Sequence, residues 1–176
     1  MHYKAITECR SCRIRQIFGT WARDLYGYFS VFAEKVVADE EIQHFFDFGK
    51  STMDVLNFLE TLHRTECIPI GIFSKSTNML IGYINGNVFV SGELLVEFFI
   101  FNSYRRNNYM LEALNNYINF CKLKGFNAFR FDVEPDNVAS LSLLEKLGAS
   151  HSDSQDFTAN IPRKGSTFFQ VYHIYR

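Results

Sequence analysis

Long apolar runs are missing from this chain. No run approaches the roughly 18 residues that a membrane-spanning helix needs. The opening residues, MHYKAITECRSCRIRQ, lack the apolar core of a secretory signal peptide. We therefore expect a soluble, cytoplasmic protein that makes no membrane contact.

Cysteine is also scarce, and so is net charge. Four cysteines (Cys9, Cys12, Cys67 and Cys121) are too few and too scattered for a disulfide framework. Cys9 and Cys12 form a C-x-x-C pair, but no second such pair and no H-x-x-x-H follows, so we expect no metal. The 18 Lys and Arg residues against 19 Asp and Glu give a net charge of −1. This balance argues against nucleic acid as a partner, because no bulk positive field attracts it.

What the chain does contain is ample apolar and aromatic material. Hydrophobic residues make up 47% of its 176 residues and aromatic residues 16%, which is enough for a substantial core. No internal repeat, low-complexity tract or linker interrupts it. A single domain over residues 1–176 follows.

The first half of the chain mixes helical and strand periods. Loose alternation over residues 8–18 predicts a strand, and apolar residues three or four apart predict a helix over residues 21–37. Asp39 opens a short helical piece that ends near Phe48 and Gly49, and Ser51 begins a capping-box helix to about residue 64. Residues 68–73 and 79–84 then read as a hairpin, and Asn85-Gly86-Asn87 as a further turn.

The second half alternates strands and helices. Strands are predicted over residues 94–101, 127–133, 156–161 and 167–175, and helices over residues 109–123 and from Asp136 or Asn137 to about Gly148. This order describes a mixed α/β domain with one βαβαβ-like half.

The segment NSYRRNNYM joins the strand at residues 94–101 to the following helix; we call residues 105–110 of it the elbow. At a helix start, unpaired backbone N–H groups and the positive end of the helix dipole can receive an anion. An elbow rich in Arg and Asn at that point therefore predicts an anion site.

Three stretches together resemble one known family: KSTNMLIGYI, FFIFNSYRRNNYMLEAL and EPDNVASLSLLEKLGA. They are similar to the GNAT superfamily of acyl-CoA-dependent N-acyltransferases, especially the branch that acetylates N-terminal amines of ribosomal proteins. The resemblance implies a central, mostly antiparallel sheet with helices on both faces. It also implies that the family's fourth and fifth strands, here residues 94–101 and 127–133, splay apart to admit acetyl-CoA as cosubstrate.

The resemblance also carries the cofactor residues. The family's Q/R-x-x-G-x-G/A loop falls on the elbow, where Asn108 replaces a glycine and Met110 replaces a small residue. Asn tolerates the left-handed conformation better than most residues, so we expect Asn108 to keep the turn, whereas Met110 adds bulk. The full set implied to contact the cofactor is Phe99, Ile100, Phe101, Arg105, Arg106, Asn107, Asn108, Tyr109, Met110, Asn137 and Ser140. Within it, Arg105 and Arg106 are expected to contact phosphates, and Asn137 also suits a helix N-cap.

Catalysis of amine acylation needs a base for the amine and stabilisation of the attacked thioester. Glu97 is the one acid inside an apolar strand and is our preferred base, with Glu93 as the alternative. A family tyrosine that acts as general acid is absent, because Leu144 stands at its position. Substitutes for it are Ser142, Tyr172 and His173, of which we include Tyr172 among the catalytic candidates.

The sequence thus predicts an N-acetyltransferase that works by direct attack in a ternary complex. The acceptor is a primary amine: a protein or peptide N-terminus, a lysine or a small amine. Homodimer formation stays open. The alternative is a GNAT-fold binding or regulatory protein with weak or no activity, which the altered elbow and the missing tyrosine favour.

Overall fold

The computed structural model of the chain describes residues 5–8, 11–16, 26–61, 67–89 and 91–176. These residues form five α-helices and nine strands: β1 Ala5–Glu8, β2 Cys12–Gln16, α1 Tyr26–Ala38, α2 Glu40–Phe45, α3 Thr52–Thr61, β3 Ile70–Ser74, β4 Leu80–Val88, β5 Leu94–Ile100, α4 Tyr109–Lys122, β6 Ala128–Val133, α5 Val138–Leu147, β7 Ser150–His151, β8 Phe157–Ile161 and β9 Gly165–Tyr175. The predicted elements at residues 94–101, 109–123 and 127–133 are confirmed within one or two residues.

The strands form one sheet in the order β1-β2-β3-β4-β5-β6-β9-β7, and β8 adds to β9. All pairings are antiparallel except that between β5 and β6, which is parallel. This parallel pair covers only Leu94 with Phe129 and Leu95 with Arg130. Beyond these residues β5 and β6 diverge, and we call the gap between them the splay. The predicted mixed α/β, mostly antiparallel and splayed sheet is confirmed.

Alternation along the strands divides the apolar residues into two cores, one on each face of the sheet. On one face α4 and α5 cover residues such as Ile84 and Phe131. On the other, α1, α2 and α3 cover residues such as Tyr83 and Phe99. Burying one large apolar side chain is worth about 1.5–3 kcal/mol, so both cores hold the sheet in place. Helices on both faces are therefore confirmed.

Side-chain caps fix where two helices begin. The Ser51 hydroxyl accepts the N–H of Asp54 at 3.1 Å while the Asp54 carboxylate accepts the N–H of Ser51 at 3.0 Å, which is the reciprocal capping box that the sequence predicts. Asn137 caps α5, because its side-chain oxygen accepts the N–H of Ser140 at 3.1 Å. The α5 helix then ends at Gly148, whose φ of +75° suits glycine.

One prediction of the first half was incomplete and one was wrong. The strand expected over residues 8–18 is found as β2, Cys12–Gln16, but its antiparallel partner β1, Ala5–Glu8, was not predicted, because so short a strand carries too little alternation. The turn expected at Asn85-Gly86-Asn87 is instead part of β4, where these residues pair with Glu97, Val96 and Leu95. Here strand pairing overrides local turn preference.

Some expectations fall outside the described residues or were not made. Residues 9–10, 17–18, 21–25 and 62–64 of the predicted elements lie outside the described part of the chain. The short β7 strand was not predicted, since two residues carry too little alternation. Among the described residues, no helix is long and apolar enough to cross a membrane.

Candidate active site

The elbow leads into α4, and the side chain of its N-cap residue, Asn108, does not cap this helix. Asn108 adopts the left-handed conformation, with φ 58° and ψ 7°, as predicted, and its side chain makes no capping hydrogen bond. The first intrahelical bond is donated by Glu112 to the Asn108 carbonyl. No hydrogen bond is recorded among the described residues for the N–H groups of Tyr109, Met110 and Leu111. The α4 N-terminus therefore presents unpaired donors, which suits an anion.

A cavity of about 860 Å³ opens directly at this helix start. Its walls come from α2, the end of β5, the elbow and the first turns of α5: Glu41, Ile42, Phe45, Phe46, Phe98, Phe99, Ile100, Asn102, Tyr104, Arg105, Arg106, Asn108, Tyr109, Met110, Leu111, Asn137, Val138, Ala139, Ser140, Ser142, Leu143 and Lys146. Phe98 and Phe99 point to opposite faces of β5, so the cavity reaches both sides of that strand at the splay.

The cavity gathers nine of the eleven residues that were predicted to bind the cofactor. The two exceptions are Phe101 and Asn107. The ring of Phe101 is 4% exposed and packs against Phe32 in the α1–α3 core, with 5.3 Å between ring centroids. Asn107 instead donates from its side chain to the carbonyl of Arg105 at 2.9 Å and steadies the elbow itself.

Met110 stands where the family has a small residue, and it belongs to two environments at once. Its side chain is 7% exposed and packs in the α4–α5 core, yet it also lines the cavity. Much of its bulk is therefore absorbed by the core. The added volume narrows the cavity without closing it.

The two adjacent arginines of the elbow behave differently. Arg105 donates to both oxygens of Asp39 at 3.0 and 3.1 Å, to Glu41 at 2.5 Å and, from Nε, to the carbonyl of Ile100 at 3.0 Å. Its guanidinium is therefore committed within the protein. Arg106 is exposed at the cavity, with φ +61°. Of the two predicted phosphate ligands, only Arg106 has its charge available to a ligand.

Glu97 lies at the apex of the splay. It is the first residue on its face of β5 beyond Leu95, the last residue paired with β6. Burial raises the pKa of the Glu97 carboxyl above its usual range; hydrogen bonds from Asn87 and Asn85 oppose this rise and the nearby Asp132 adds to it. A carboxylate with a raised pKa is a stronger base, which suits proton removal from an amine near neutral pH.

An amide network on β4 holds Glu97. The Asn87 amide donates to the Glu97 carboxylate at 3.3 Å, and the oxygen of Asn87 accepts from Asn85 at 3.0 Å and from the Cys67 thiol at 2.8 Å. The Asn85 oxygen and the Tyr83 hydroxyl are buried with no hydrogen-bond partner among the described residues. Such orphaned groups are costly and recur at functional sites.

Two residues at these sites were missed by sequence reasoning. Asp132 of β6 lies on the same face as Glu97 and accepts two hydrogen bonds from Arg130, at 2.7 and 3.3 Å. Its signal was its place in the alternation of residues 128–133, opposite the buried Phe131 and Val133. Lys146 of α5 lines the cavity and adds a second available cation. It lies three residues beyond Leu143 and four beyond Ser142 on α5, a spacing that places it on the helix face that lines the cavity.

The other catalytic candidates lie apart from Glu97. The Glu93 carboxylate is 3.3 Å from the buried His173 ring and accepts from the Ser91 hydroxyl at 3.2 Å, at the paired end of β5. Tyr172 lies on the opposite sheet face, where it stacks on His151 at 4.9 Å, and it does not line the cavity. The structure therefore does not bring Tyr172 to Glu97.

The proposed replacements for the missing acid are also separated. Leu144, at the position of the family tyrosine, is fully buried in the α4–α5 core and offers no proton. Ser142, two residues earlier, lines the cavity. His173 is buried, and its Nδ1 lies 3.1 Å from the hydroxyl of Ser152. Of these residues only Ser142 faces the cavity.

A set of charged contacts joins the two walls of the cavity. His44 at the end of α2 lies 3.4 Å from Asp136, just before α5. Lys164 in the β8–β9 turn pairs with Glu134 and lies over the Phe45 ring. The ligand atoms of His44, Glu134 and Asp136 lie within 4.8 Å of one another. Because the Lys164 ammonium already neutralises the charge of Glu134, we interpret this cluster as contacts that hold α2 against the loop before α5.

Together these features define a class of protein: an α/β domain with a splayed sheet and an open helix N-terminus at the mouth of a cavity. Residues 20–150 match the family model described as "Acetyltransferase (GNAT) domain". The chain therefore belongs to the GNAT acetyltransferase family, as its sequence resemblance predicted. A search of curated protein sequences found no match.

Solved structures show the same fold at low sequence identity. One is an acetyltransferase from Salmonella typhimurium that modifies the N-terminal serine of the 50S ribosomal protein L7/L12, with 12% identity, a TM-score of 0.79 and coverage of 98% of this chain and 99% of that one. RimL, a ribosomal L7/L12 α-N-protein acetyltransferase in complex with coenzyme A, has 12% identity and a TM-score of 0.78, and the match covers 98% of both chains. A ribosomal-protein-S5-alanine acetyltransferase from Vibrio fischeri has 13% identity and a TM-score of 0.73, and the match covers 96% of this chain and 95% of that one.

Proposed function

We propose that this protein transfers an acetyl group from acetyl-CoA to a primary amine by direct attack in a ternary complex. The observation that carries the proposal is the open N-terminus of α4 at the mouth of a cavity that runs to the splay. Unpaired N–H groups suit a pyrophosphate, and Arg106 and Lys146 supply cations nearby. A coenzyme A complex of RimL, which shares the fold, supports the same ligand class.

In this proposal the cavity holds acetyl-CoA along the edge of β5 that does not pair with β6. The N–H groups of Tyr109, Met110 and Leu111 receive the pyrophosphate, and Asn137 uses its amide N–H groups, since its oxygen already caps α5. Phe99 and Ile100 line the cavity, which extends along β5 as far as Phe98, the neighbour of Glu97, while Glu97 itself does not line it. The thioester carbonyl would then lie near the end of the splay where Glu97 is found.

Glu97 is the proposed general base. It takes a proton from the acceptor ammonium, and the freed amine attacks the thioester carbonyl carbon. A nitrogen–carbon bond forms as the carbon–sulfur bond breaks, the electron pair leaves on sulfur, and the thiolate takes up the second proton that the attacking nitrogen loses. Asp132 is the second candidate for this role, because it shares the face of Glu97 across the splay.

The proposed acceptor is the N-terminus of a protein or peptide. One protein of the same fold is described as modifying the N-terminal serine of ribosomal protein L7/L12, and another as a ribosomal-protein-S5-alanine acetyltransferase. A lysine or a small amine is the alternative acceptor. These amines differ from a protein N-terminus in their pKa and in how far they extend from a peptide backbone. Assays on peptides that differ only in a free or a blocked α-amine separate these acceptors.

A ligand titration tests the donor half of the proposal. Acetyl-CoA at 100-fold above its Kd should raise the melting temperature by about 5 °C or more, because a ligand that binds only the native state stabilises it. Acetyl transfer is then measured by the release of the free thiol of coenzyme A and by mass spectrometry of the acceptor peptide. A melting temperature that does not respond to millimolar acetyl-CoA would overturn the proposal.

A second function is favoured by Leu144, which leaves the usual position of the acid apolar and fully buried. On this alternative the protein binds acyl-CoA as a sensor or regulator and transfers the acyl group slowly or not at all. Tight acetyl-CoA binding without thiol release for any amine acceptor would select this alternative.

A further inference from the structure

Asp39 joins three separate segments through one carboxylate. It lies between α1 and α2, and its side chain is 9% exposed. Oδ1 accepts the N–H of Ile42 at 3.2 Å and so caps α2, while Oδ2 accepts the N–H of Asn102 at 3.2 Å in the turn after β5. Both oxygens also accept from Arg105. The start of α2, the end of β5 and the elbow therefore meet at one side chain.

The elbow needs such an anchor because its backbone is strained. Arg106 and Asn108 both lie in the left-handed region, with φ of 61° and 58°. Non-glycine residues in that region cost about 1–3 kcal/mol each and persist only where the surroundings fix them. Arg105 immediately precedes this pair, and Asp39, Glu41 and the Ile100 carbonyl hold its guanidinium.

We propose that Asp39 is a positioning residue for acetyl-CoA. It acts through Arg105, which holds the elbow so that the N–H groups of α4 face the cavity. This inference rests on the proposed function, since it assumes that the elbow receives the pyrophosphate of the donor. It assigns Arg105 a bracing role in place of the phosphate contact expected from the sequence.

Charge alone predicts the opposite effect, which makes the proposal testable. Asp39 is an anion beside a site for an anionic ligand, so its removal by simple electrostatics should tighten donor binding. A positioning role predicts weaker binding. The sign of the change in acetyl-CoA affinity therefore distinguishes the two accounts.

The experiment is Asp39→Asn in the full chain, assayed with two acyl donors. Asn is as good an N-cap as Asp, and its one oxygen can still accept the N–H of Ile42, but its NH2 group cannot accept from Arg105 or from the N–H of Asn102. The change therefore weakens the contacts that tie this side chain to the elbow and to the turn after β5. We expect the KM for acetyl-CoA to rise about tenfold, the cost of misplacing a binding group, with kcat nearly unchanged. With S-acetylpantetheine, which lacks the pyrophosphate, kcat/KM should not change.

Glu40→Gln is the matched control. It makes the same charge change at the next residue, which is exposed and does not contact Arg105 among the described residues. We expect no rise in the KM for acetyl-CoA. Glu41→Gln, which removes the weaker and more exposed partner of Arg105, should raise the KM by about threefold and serves as the test if Asp39→Asn does not fold.

The outcomes separate this inference from the proposed function. Unchanged or tighter acetyl-CoA binding in Asp39→Asn, or an equal loss with both donors, overturns the positioning role. If Asp39→Asn does not fold, an unchanged KM in Glu41→Gln overturns it. If the wild-type protein neither binds nor uses acetyl-CoA, the proposed function itself fails.

Discussion

The elbow and the apex of the splay are two ends of one proposed site, and they are built in opposite ways. The elbow is six consecutive residues that offer backbone N–H groups and a cation. The apex combines side chains of three strands, with Asn87 on β4, Glu97 on β5 and Asp132 on β6. One end is suited to hold a charged donor and the other to move a proton. Changes at the elbow should therefore alter donor affinity, and changes at the apex should alter turnover.

The largest effect is expected at the apex. Glu97→Gln should lower kcat by about a hundredfold or more, since general base catalysis typically contributes that much, and should leave the Kd for acetyl-CoA within about twofold. Turnover under saturating donor and a separate binding titration measure the two quantities. The control is Glu93→Gln, the same change near the paired end of β5. Equal losses of affinity and turnover in Glu97→Gln would contradict the division between the two ends.

The next effect is at the elbow side. Arg106→Ala combined with Lys146→Ala should raise the Kd for acetyl-CoA about tenfold, because two cations at the cavity are lost. Unfolding free energy and kcat should change little, since both side chains are exposed. The matched control, Lys122→Ala with Lys124→Ala, makes the same charge change at the far end of α4. A similar rise in Kd for the control pair would show that net charge, and not the cavity, sets affinity.

The elbow was readable from the sequence because its chemistry is contiguous. Local pattern alone predicts a helix cap at Asn137 and places Glu97 inside an apolar strand, and the family resemblance places Asn108 at a position that needs a left-handed turn. The apex was only partly readable. Asp132 and Asn87 are 45 residues apart, and only the pairing of β4, β5 and β6 brings them near Glu97.

Strand pairing also explains the wrong turn prediction, and distant ion pairs explain why we propose a different role for Arg105. Asn85-Gly86-Asn87 has the composition of a turn, yet β5 draws it into β4, and Gly86 is needed there because a Cβ would lie 2.4 Å from the Tyr117 hydroxyl. Arg105 has the place of a phosphate ligand in the sequence. Its partners Asp39 and Glu41, more than sixty residues away, engage the same guanidinium. Neither the strand pairing of Asn85-Gly86-Asn87 nor the ion pairs of Arg105 can be predicted from the neighbouring residues in the sequence.

A smaller effect should distinguish the two asparagines at helix starts. Asn137→Ala removes a cap and should lower the free energy of unfolding by about 1 kcal/mol. Asn108→Gly removes no capping bond and suits a positive φ, so it should leave stability nearly unchanged. Urea unfolding of both variants measures the difference. A comparable loss in Asn108→Gly would show that its side chain stabilises α4 in a way the hydrogen bonds do not reveal.

The smallest effect is a pH dependence of stability at the apex. Burial raises the pKa of Glu97 in the folded state, so ionising its carboxyl opposes folding. The stability of the folded state is therefore full below the usual carboxyl pKa, and part of it is lost as pH rises through the folded-state pKa. Glu97→Gln should therefore be more stable than the wild type at pH 7–8, and this advantage should vanish below the usual carboxyl pKa. Melting temperatures from pH 4 to pH 8 measure it. A stability difference that does not vary with pH would mean that the ionisation of Glu97 is not penalised by folding.

The short β5–β6 pairing has a mechanical consequence. Within the described part of the chain, two paired residues on each strand are all that joins strands β1–β5 to strands β6–β9 by sheet hydrogen bonds. Packing across the gap, such as Phe98 against Phe131 at 6.3 Å, supplies the rest. A ligand seated in the gap would act as a strut between these two groups of strands. Amide hydrogen exchange in residues 96–100 and 131–133 should then slow together on ligand binding, and the two groups of strands should unfold more cooperatively.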